Sequence, residues 1–595
     1  MAVDGLPSDC WELVISKLID NVEKEERKHY LETLSLVSKQ LVSITNTFVH
    51  SFKLINNPSS LSISHIFNRF PNLTSLDLSA YTRHPDDLNA LISQIPPPSF
   101  SRLTSLNLSN NPIIPTLGLR SFLKNNLTSL ICSNIASLKF TDITFIADFF
   151  PFLQHLDISF PGGKPKSQHK DYNNALNFLA QKLSKLRTVD LSANFYINDS
   201  FFLQLCINCE FLQQVLISRC PFITHAGIAL AIHHRPTLNS LSVTNFMEEP
   251  IELEKVNSFS YFIDSLANLK RLTYLDLSSS CINDLLLQSI AREALPLTKL
   301  VLQNCYNYTY YGIYCLLSKS PSLQHLDLQC ANFLDDQLFN QLCAFLGGLV
   351  SINLSCCLRL GNSSFFALLI NCPLLAEIRM ESTNIGIGPT PSVVDFEVYP
   401  QVKSLHLCWN MHLQDKQINI FGFMFSNMQL IDLSFCKRIS EQGIATLLSR
   451  CPKIRHFKFN GFPQAKIRHF KFNGFPQAKL FSINFEVSRL DLEVLNLSHS
   501  RIDDKQLYEI SKICPRLLQL DIKHCNDVTK KGVQLAVENC TCLREINLQG
   551  CREVSNDIVS WMIFARPSLR KITAPHFRPR DCDRKLLSEQ RCLVF

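Results

Sequence analysis

The 595-residue chain has no run of about 18 apolar residues that could cross a bilayer, and its opening, MAVDGLPSDC, lacks the basic region and apolar core of a secretory signal. It carries no H-E-x-x-H, no phosphate-binding glycine loop and no local nucleophile signature. Cys206 and Cys209 make one C-x-x-C without a second pair, so zinc is not expected. These absences set aside a membrane span, a metal, a cofactor and catalysis by the chain itself, and point to the cytoplasm and/or nucleus. Charge is scarce as well. Asp, Glu, Lys and Arg make up 18% of residues against 46% hydrophobic ones, which supplies a core and excludes wholesale disorder.

The formal net charge of +7 is concentrated at one end, where residues 560–595 hold eight Lys or Arg against three Asp or Glu. The rest is near neutrality, so no nucleic-acid partner is expected. In a reducing compartment the 23 cysteines are thiols that pack, not disulfides. The sequons at Asn107, Asn353 and Asn496 fall inside strand patterns and are expected to be fortuitous.

What the chain does have is one pattern, L-x-x-L-x-L, as in LTSLDL, LQHLDL and LLQLDI. It starts at 73, 103, 127, 153, 186, 212, 238, 272, 297, 323, 349, 375, 402, 428, 454, 492, 517, 543 and 569, most often 26 residues apart. Each copy predicts a short strand with its first, fourth and sixth residues inward, then a turn and an apolar-periodic helix such as KKGVQLAVENC. One copy cannot bury both faces, so neighbours must stack. The expected fold is α/β: a right-handed leucine-rich repeat solenoid of about 19 repeats over 51–575, with parallel strands on the concave face and helices on the convex one. Cys220, Cys305, Cys357, Cys436, Cys525 and Cys551 lie eight residues after a start, where other copies have Asn111, Asn194 and Asn410. Cys209, Cys372, Cys451, Cys514 and Cys540 lie three before one. These are expected to be small buried packing residues, and they give the chain a resemblance to the cysteine-containing leucine-rich repeat subclass.

Three intervals break the period. KIRHFKFNGFPQA at 453–465 recurs at once at 466–478, and removing one copy shortens the interval after 454 from 38 to 25 residues, so one copy is expected to bulge out. The intervals after 153 and 238 are 33 and 34 residues long and carry FPGGKPKSQHKDYNN and NFMEEPIELEKVNSF, candidates for interaction loops at strand ends.

Before the repeats, Pro7 suits a first helical turn, and Cys10, Leu13, Val14 and Leu18 share a helical face. After DNVEKEERKH, Leu31, Leu34, Val37, Leu41 and Ile44 form a second stripe. LPSDCWELVISKL followed by LSLVSKQLVSI resembles the F-box motif, especially its plant forms, over residues 6–44. The resemblance implies a small all-α domain over residues 1–50 that binds a Skp-type adaptor and, through it, the cullin and RING subunits of an SCF-type ubiquitin ligase. Leu6, Pro7, Val14 and Leu18 would contact the adaptor, and Leu34, Leu36 and Val37 would serve the second helix and the domain core. Two residues depart from the family: Leu41 stands where many members have Trp, and Ser38 where Cys is frequent.

Along each strand the third, fifth and seventh residues face outward. The fifth is Asp at 77, 157, 190, 276, 327, 432 and 521 and Asn at 107, 353, 496 and 547, a ladder in which neighbouring strands are expected to share hydrogen bonds. The auxin and jasmonate receptors, which are F-box/leucine-rich repeat proteins, hold an inositol polyphosphate among inward Lys and Arg. Here Lys299, Arg379, Lys458 and Lys523 are few and scattered. A protein substrate is the expectation, at Arg379, Glu381, His406, His456, Gln519 and Asp521, where the chemistry varies most. A binding scaffold with no ligase link and a small-molecule-dependent receptor are the alternatives. In the basic tail, 576–595, the closing CLVF matches a prenylation signal at Cys592, with Arg578, Arg580, Arg584, Lys585 and Arg591 upstream.

Overall fold

The computed structural model describes residues 7–20, 24–55, 63–81, 85–120, 126–162, 169–245, 253–389, 397–460, 490–576 and 593–594. The chain divides into two compact units, residues 1–242 with 250–271 and residues 243–249 with 272–595.

The first unit opens with α1 (Ser8–Ile19), α2 (Lys24–Ser35) and α3 (Lys39–Thr47). Ile15 and Ile19, one turn apart on α1, pack with Leu41 and Ile44 of α3, and Trp11, Leu31, Leu34 and Phe48 close around them. Ser38 caps α3 by accepting the Leu41 N–H at 3.1 Å, so the residue that departs from the F-box pattern starts the helix. Strands follow at β1 (Ser51–Ile55), β2 (Ser75–Ala80), β3 (Ser105–Asn107), β4 (Ser129–Ile131), β5 (His155–Asp157), β6 (Thr188–Asp190) and β7 (Gln214–Ser218), each paired in parallel with the next. β8 (Ser240–Thr244) runs across the division.

In the second unit, the strands are β9 (Tyr274–Asp276), β10 (Lys299–Val301), β11 (His325–Asp327), β12 (Ser351–Asn353), β13 (Glu377–Arg379), β14 (Ser404–His406), β15 (Leu430–Asp432), β16 (His456–Lys458), β17 (Val494–Asn496), β18 (Gln519–Asp521), β19 (Glu545–Asn547) and β20 (Lys571–Thr573). They form one parallel ladder in chain order, and β21 (Leu593–Val594) adds to β20.

Each unit is a leucine-rich repeat solenoid, a layer of strands backed by helices. The third to fifth residues of all 19 predicted starts lie in β2 to β20. β1 was not legible as a repeat, because SFKLI lacks the leucine pattern, yet it pairs Ser51 with Ser75.

The outward Asp/Asn ladder works differently from the expectation. At all 11 positions the side-chain Oδ1 accepts the backbone N–H two residues on in its own chain, as Asp77 does from Ser79 at 2.8 Å. Bonds across strands are the exception, as from Asn353 Nδ2 to Asp327 Oδ2 at 2.8 Å. The acceptor is needed because the chain turns sharply next. Among the described residues the eighth position of the repeat is left-handed from Asn110 to Gly550, with φ between 51° at Phe160 and 74° at Gly550. Its N–H is satisfied by the following repeat, as Trp409 donates to the Ser434 carbonyl at 2.9 Å.

Where the ninth residue is Cys or Asn, it ties neighbouring repeats together. Cys357 Sγ donates to the Leu328 carbonyl of the preceding repeat at 3.3 Å, and Asn410 Nδ2 donates to that of Met380 at 2.7 Å. Asn and Cys alternate there because both are small donors. The thiols are therefore hydrogen-bonded as well as packed.

In the two long intervals, which were candidates for interaction loops, much of the extra length is helix. His169–Lys182 and Leu253–Ala267 run to 14 and 15 residues, where most repeat helices have eight to ten. The apolar spacing of ALNFLAQKL already favoured helix there. For the duplication, the first copy supplies β16, which pairs directly with β17, His456 beside Val494. The second copy lies outside the described residues.

Candidate functional site

Two regions hold the residues singled out from the sequence. On α1 the buried and exposed apolar residues occupy adjacent faces. Trp11, Ile15 and Ile19 turn inward, whereas Val14 is 48% and Leu18 45% exposed, and Cys10 and Leu13 are also exposed. Helical spacing of four residues within each set produces this. Pro7 is exposed at the N-cap, and Leu6 lies outside the described residues.

Leu34 is half-buried against the Ile15–Leu41 cluster and contributes to the core. Leu36 and Val37 do not. They fall in the turn after α2, 87% and 68% exposed, because the helix stops at Ser35 before their spacing can carry them inward. Three helices thus keep one small core and leave apolar side chains outside it, which costs solvation unless a partner covers them.

On the strand face of the second unit the structure brings together three of the six substrate candidates. Arg379 lies beside His406 in register, and its guanidinium bonds the carboxylate of Glu377, Nη2 to Oε1 at 2.6 Å. His406 is only 6% exposed, its Nε2 is 3.8 Å from Glu377 Oε1, its Nδ1 3.9 Å from Glu381 Oε1, and the Ser404 hydroxyl is 3.0 Å from Nε2. Burial, helped by the Arg379 charge, pushes the imidazole down to about 4, so it is neutral near pH 7. Burial and the neighbouring Asp432 raise Glu381 above its usual range, while Glu377 is held below its own, against the effect of burial, by Arg379 and the Ser351 hydroxyl.

The other three candidates stand apart. His456 is half-buried on β16, next to Leu430. Gln519 and Asp521 are on β18, and Asp521 is occupied with the Lys523 N–H at 3.0 Å and the Ser498 hydroxyl at 2.7 Å. Sequence reasoning missed Glu377, although period-two alternation places it on the same face as Arg379. It also missed the aromatic pair Trp409 and Phe435, whose eighth position was not read as outward-facing.

Cys206 and Cys209 are buried, and Cys209 Sγ donates to the Leu183 carbonyl at 3.3 Å, a packing contact. Cys592 and the five basic residues before it lie outside the described residues. Among the described residues no helix is long and apolar enough to cross a membrane.

Residues 98–199 match the family described as Zer-1-like, leucine-rich repeats. F-box/LRR-repeat protein 4 of Bos taurus is 27% identical over 141 residues, 24% of this chain and 22% of that protein. DNA repair protein RAD7 of Saccharomyces cerevisiae is 22% identical over 360 residues, 56% of this chain and 59% of that protein. The matches thus span 22% and 59% of these curated relatives' lengths. Among solved structures, the crystal structure of the yeast Rad7 and Elc1 complex aligns with a TM-score of 0.44 at 18% identity, over 79% of this chain and 97% of that one. The chain is a leucine-rich repeat protein related to F-box/leucine-rich repeat proteins.

Proposed function

We propose that the chain is the non-catalytic substrate-recognition subunit of an SCF-type cullin-RING ubiquitin ligase. α1 to α3 take a Skp-type adaptor, and the strand face takes a target protein. The observation that carries this is α1 itself, which spends Ile15 and Ile19 on its own core and holds Val14 and Leu18 out in solvent. The relation to F-box/LRR-repeat protein 4 supports reading that exposed face as an adaptor site. Rate enhancement then comes from holding target and ubiquitin-conjugating enzyme together, with no side chain of this chain in the chemistry. The place of action on this reading is the cytoplasm or nucleus, with membrane association only if Cys592 is prenylated; fractionation of wild type against Cys592→Ser tests that part.

The test of the main proposal is a pull-down of a purified Skp-type adaptor by the full chain, wild type against Leu6→Ala/Pro7→Ala and against Val14→Asp. Wild type is expected to retain the adaptor and both variants to lose it while keeping their circular dichroism. A folded wild type that retains none overturns the proposal and leaves a scaffold without a ligase link.

A further inference from the structure

The turn after each strand sets like positions of neighbouring repeats side by side. At the left-handed eighth position Asn134 Nδ2 donates to Asn110 Oδ1 at 2.9 Å, the rings of Trp409 and Phe435 stack with centroids 4.3 Å apart, and those of His499 and His524 lie 4.7 Å apart. A side chain at this position meets its counterpart one repeat on.

In the repeats of β11 and β12 both counterparts are cysteine, Cys330 and Cys356, with φ 65° and 62°. They come three residues after Asp327 and Asn353, which pair in register. Cross-strand bonds carry that register up to the turn. Asn353 Nδ2 donates to Asp327 Oδ2 at 2.8 Å and to Gln329 Oε1 at 3.2 Å, and the Cys330 N–H donates to the Ser355 carbonyl at 2.9 Å. The two thiols are hydrogen-bonded to each other, and both residues are half-buried. Adjacent parallel strands run ~4.8 Å apart, inside the ~4.4–6.8 Å between Cα atoms that a disulfide spans.

These two cysteines differ in kind from those at the ninth position. Cys305 and Cys357 are buried, and their thiols donate to the Leu277 and Leu328 carbonyls, so each is spent on the stack. Cys330 and Cys356 reach the surface of the turn, and none of the bonds that hold their register uses a thiol. Burial, with Cys356 beside it, pushes the Cys330 thiol up to about 11. Cys330 therefore keeps its proton, and Cys356 is the sulfur that attacks first.

We propose that Cys330 and Cys356 form a modification site, a dithiol that a small-molecule disulfide converts reversibly into a cross-link between neighbouring repeats. The Cys356 sulfur, as thiolate, attacks one sulfur of the reagent, whose S–S bond breaks and whose other half leaves as a thiolate and takes up the proton. Cys330 then gives up its proton and attacks the Cys356 sulfur, expelling the second half of the reagent as a thiol. Two protein thiols lose two electrons in all, and one disulfide is reduced to two thiols. The Cys356 N–H donates to the Glu381 carbonyl at 2.7 Å, so the cross-link forms at the rim of the cluster that holds Arg379 and His406. It changes that surface whether or not the chain serves a ligase.

The experiment incubates the reduced full chain with glutathione disulfide, blocks the remaining thiols, digests without reductant and maps the sulfur linkages by mass spectrometry. The variants are Cys330→Ser and Cys356→Ser, which keep the fold because Ser already takes the left-handed conformation at 279 and 382. Wild type is expected to yield a peptide pair joined through Cys330 and Cys356 that dithiothreitol separates. Each variant is expected to retain glutathione on its remaining cysteine, about tenfold more than the same cysteine holds in wild type, because no neighbour is left to expel it. Glutathione that persists at both positions of wild type overturns the proposal. So does a cross-link that joins either cysteine mainly to a third one, and so do two thiols that stay free while Cys10 and Cys542 are modified.

Discussion

Asp284, in the first turn of one repeat helix, holds the N-cap of the next: the Thr309 N–H donates to its Oδ1 at 2.8 Å and the Thr309 hydroxyl to its Oδ2 at 2.6 Å. The same clamp joins Asp504 to Thr529, at 2.7 and 2.5 Å, and recurs between Asp199 and Thr224 and between Asp415 and Ser440. In each case the residue three after the cap is glycine, because a Cβ there would overlap the Asp carboxylate. The helix layer is thereby tied laterally, as the strand layer is by its ladder.

Gly532→Ala is expected to destabilise by ~1–3 kcal/mol, since the methyl must displace the Asp504 carboxylate or the helix. Hydrogen exchange in residues 529–533 should accelerate with it. Gly347→Ala, whose nearest neighbour would be 3.8 Å away, serves as the control and should leave exchange unchanged.

Native-state alkylation at pH 8 should modify Cys10 and Cys542 first among the described thiols, because these are exposed. Cys305, Cys357 and Cys525 are pushed up to about 12 by burial and should react only in denaturant. Rapid labelling of Cys357 in the folded chain would contradict its place in the ladder.

His406 gives stability a dependence on acid. Its folded value, about 4, lies below the ordinary 6.5, so between these the unfolded chain binds the proton more readily. Its contribution is complete above pH 6.5, falls as pH drops from there, and is lost below about 4. Urea unfolding of His406→Gln should therefore show a shallower loss than wild type across that window, and identical slopes would remove His406 as the cause.

Deletion of residues 466–478 should leave the far-ultraviolet spectrum and melting temperature of the chain unchanged, since β16 already pairs with β17 using the first copy. A drop of several degrees would mean that the second copy carries contacts of its own.

The repeat was legible because leucine at the first, fourth and sixth positions has no other use than a one-sided buried strand. Leu323, Leu326 and Leu328, for example, are all buried. The turn chemistry was not. Asp327 looks like a ligand for something outside the chain until its Oδ1 is found on the Gln329 N–H at 2.9 Å. Nor does spacing alone tell Trp409 at a left-handed turn from Trp11 in a core. On α1 two apolar sets four residues apart were present, and only packing against Leu41 and Ile44 decided that Ile15 and Ile19 turn inward.

The most direct measurement is a hydrogen-exchange footprint of a Skp-type adaptor on the full chain. Protection confined to residues 7–19 and 33–38, with strand amides unchanged, is the result expected if the exposed face of α1 and the turn holding Leu36 and Val37 dock the adaptor. An adaptor that leaves those amides exchanging freely, or protects the repeats instead, would contradict the account.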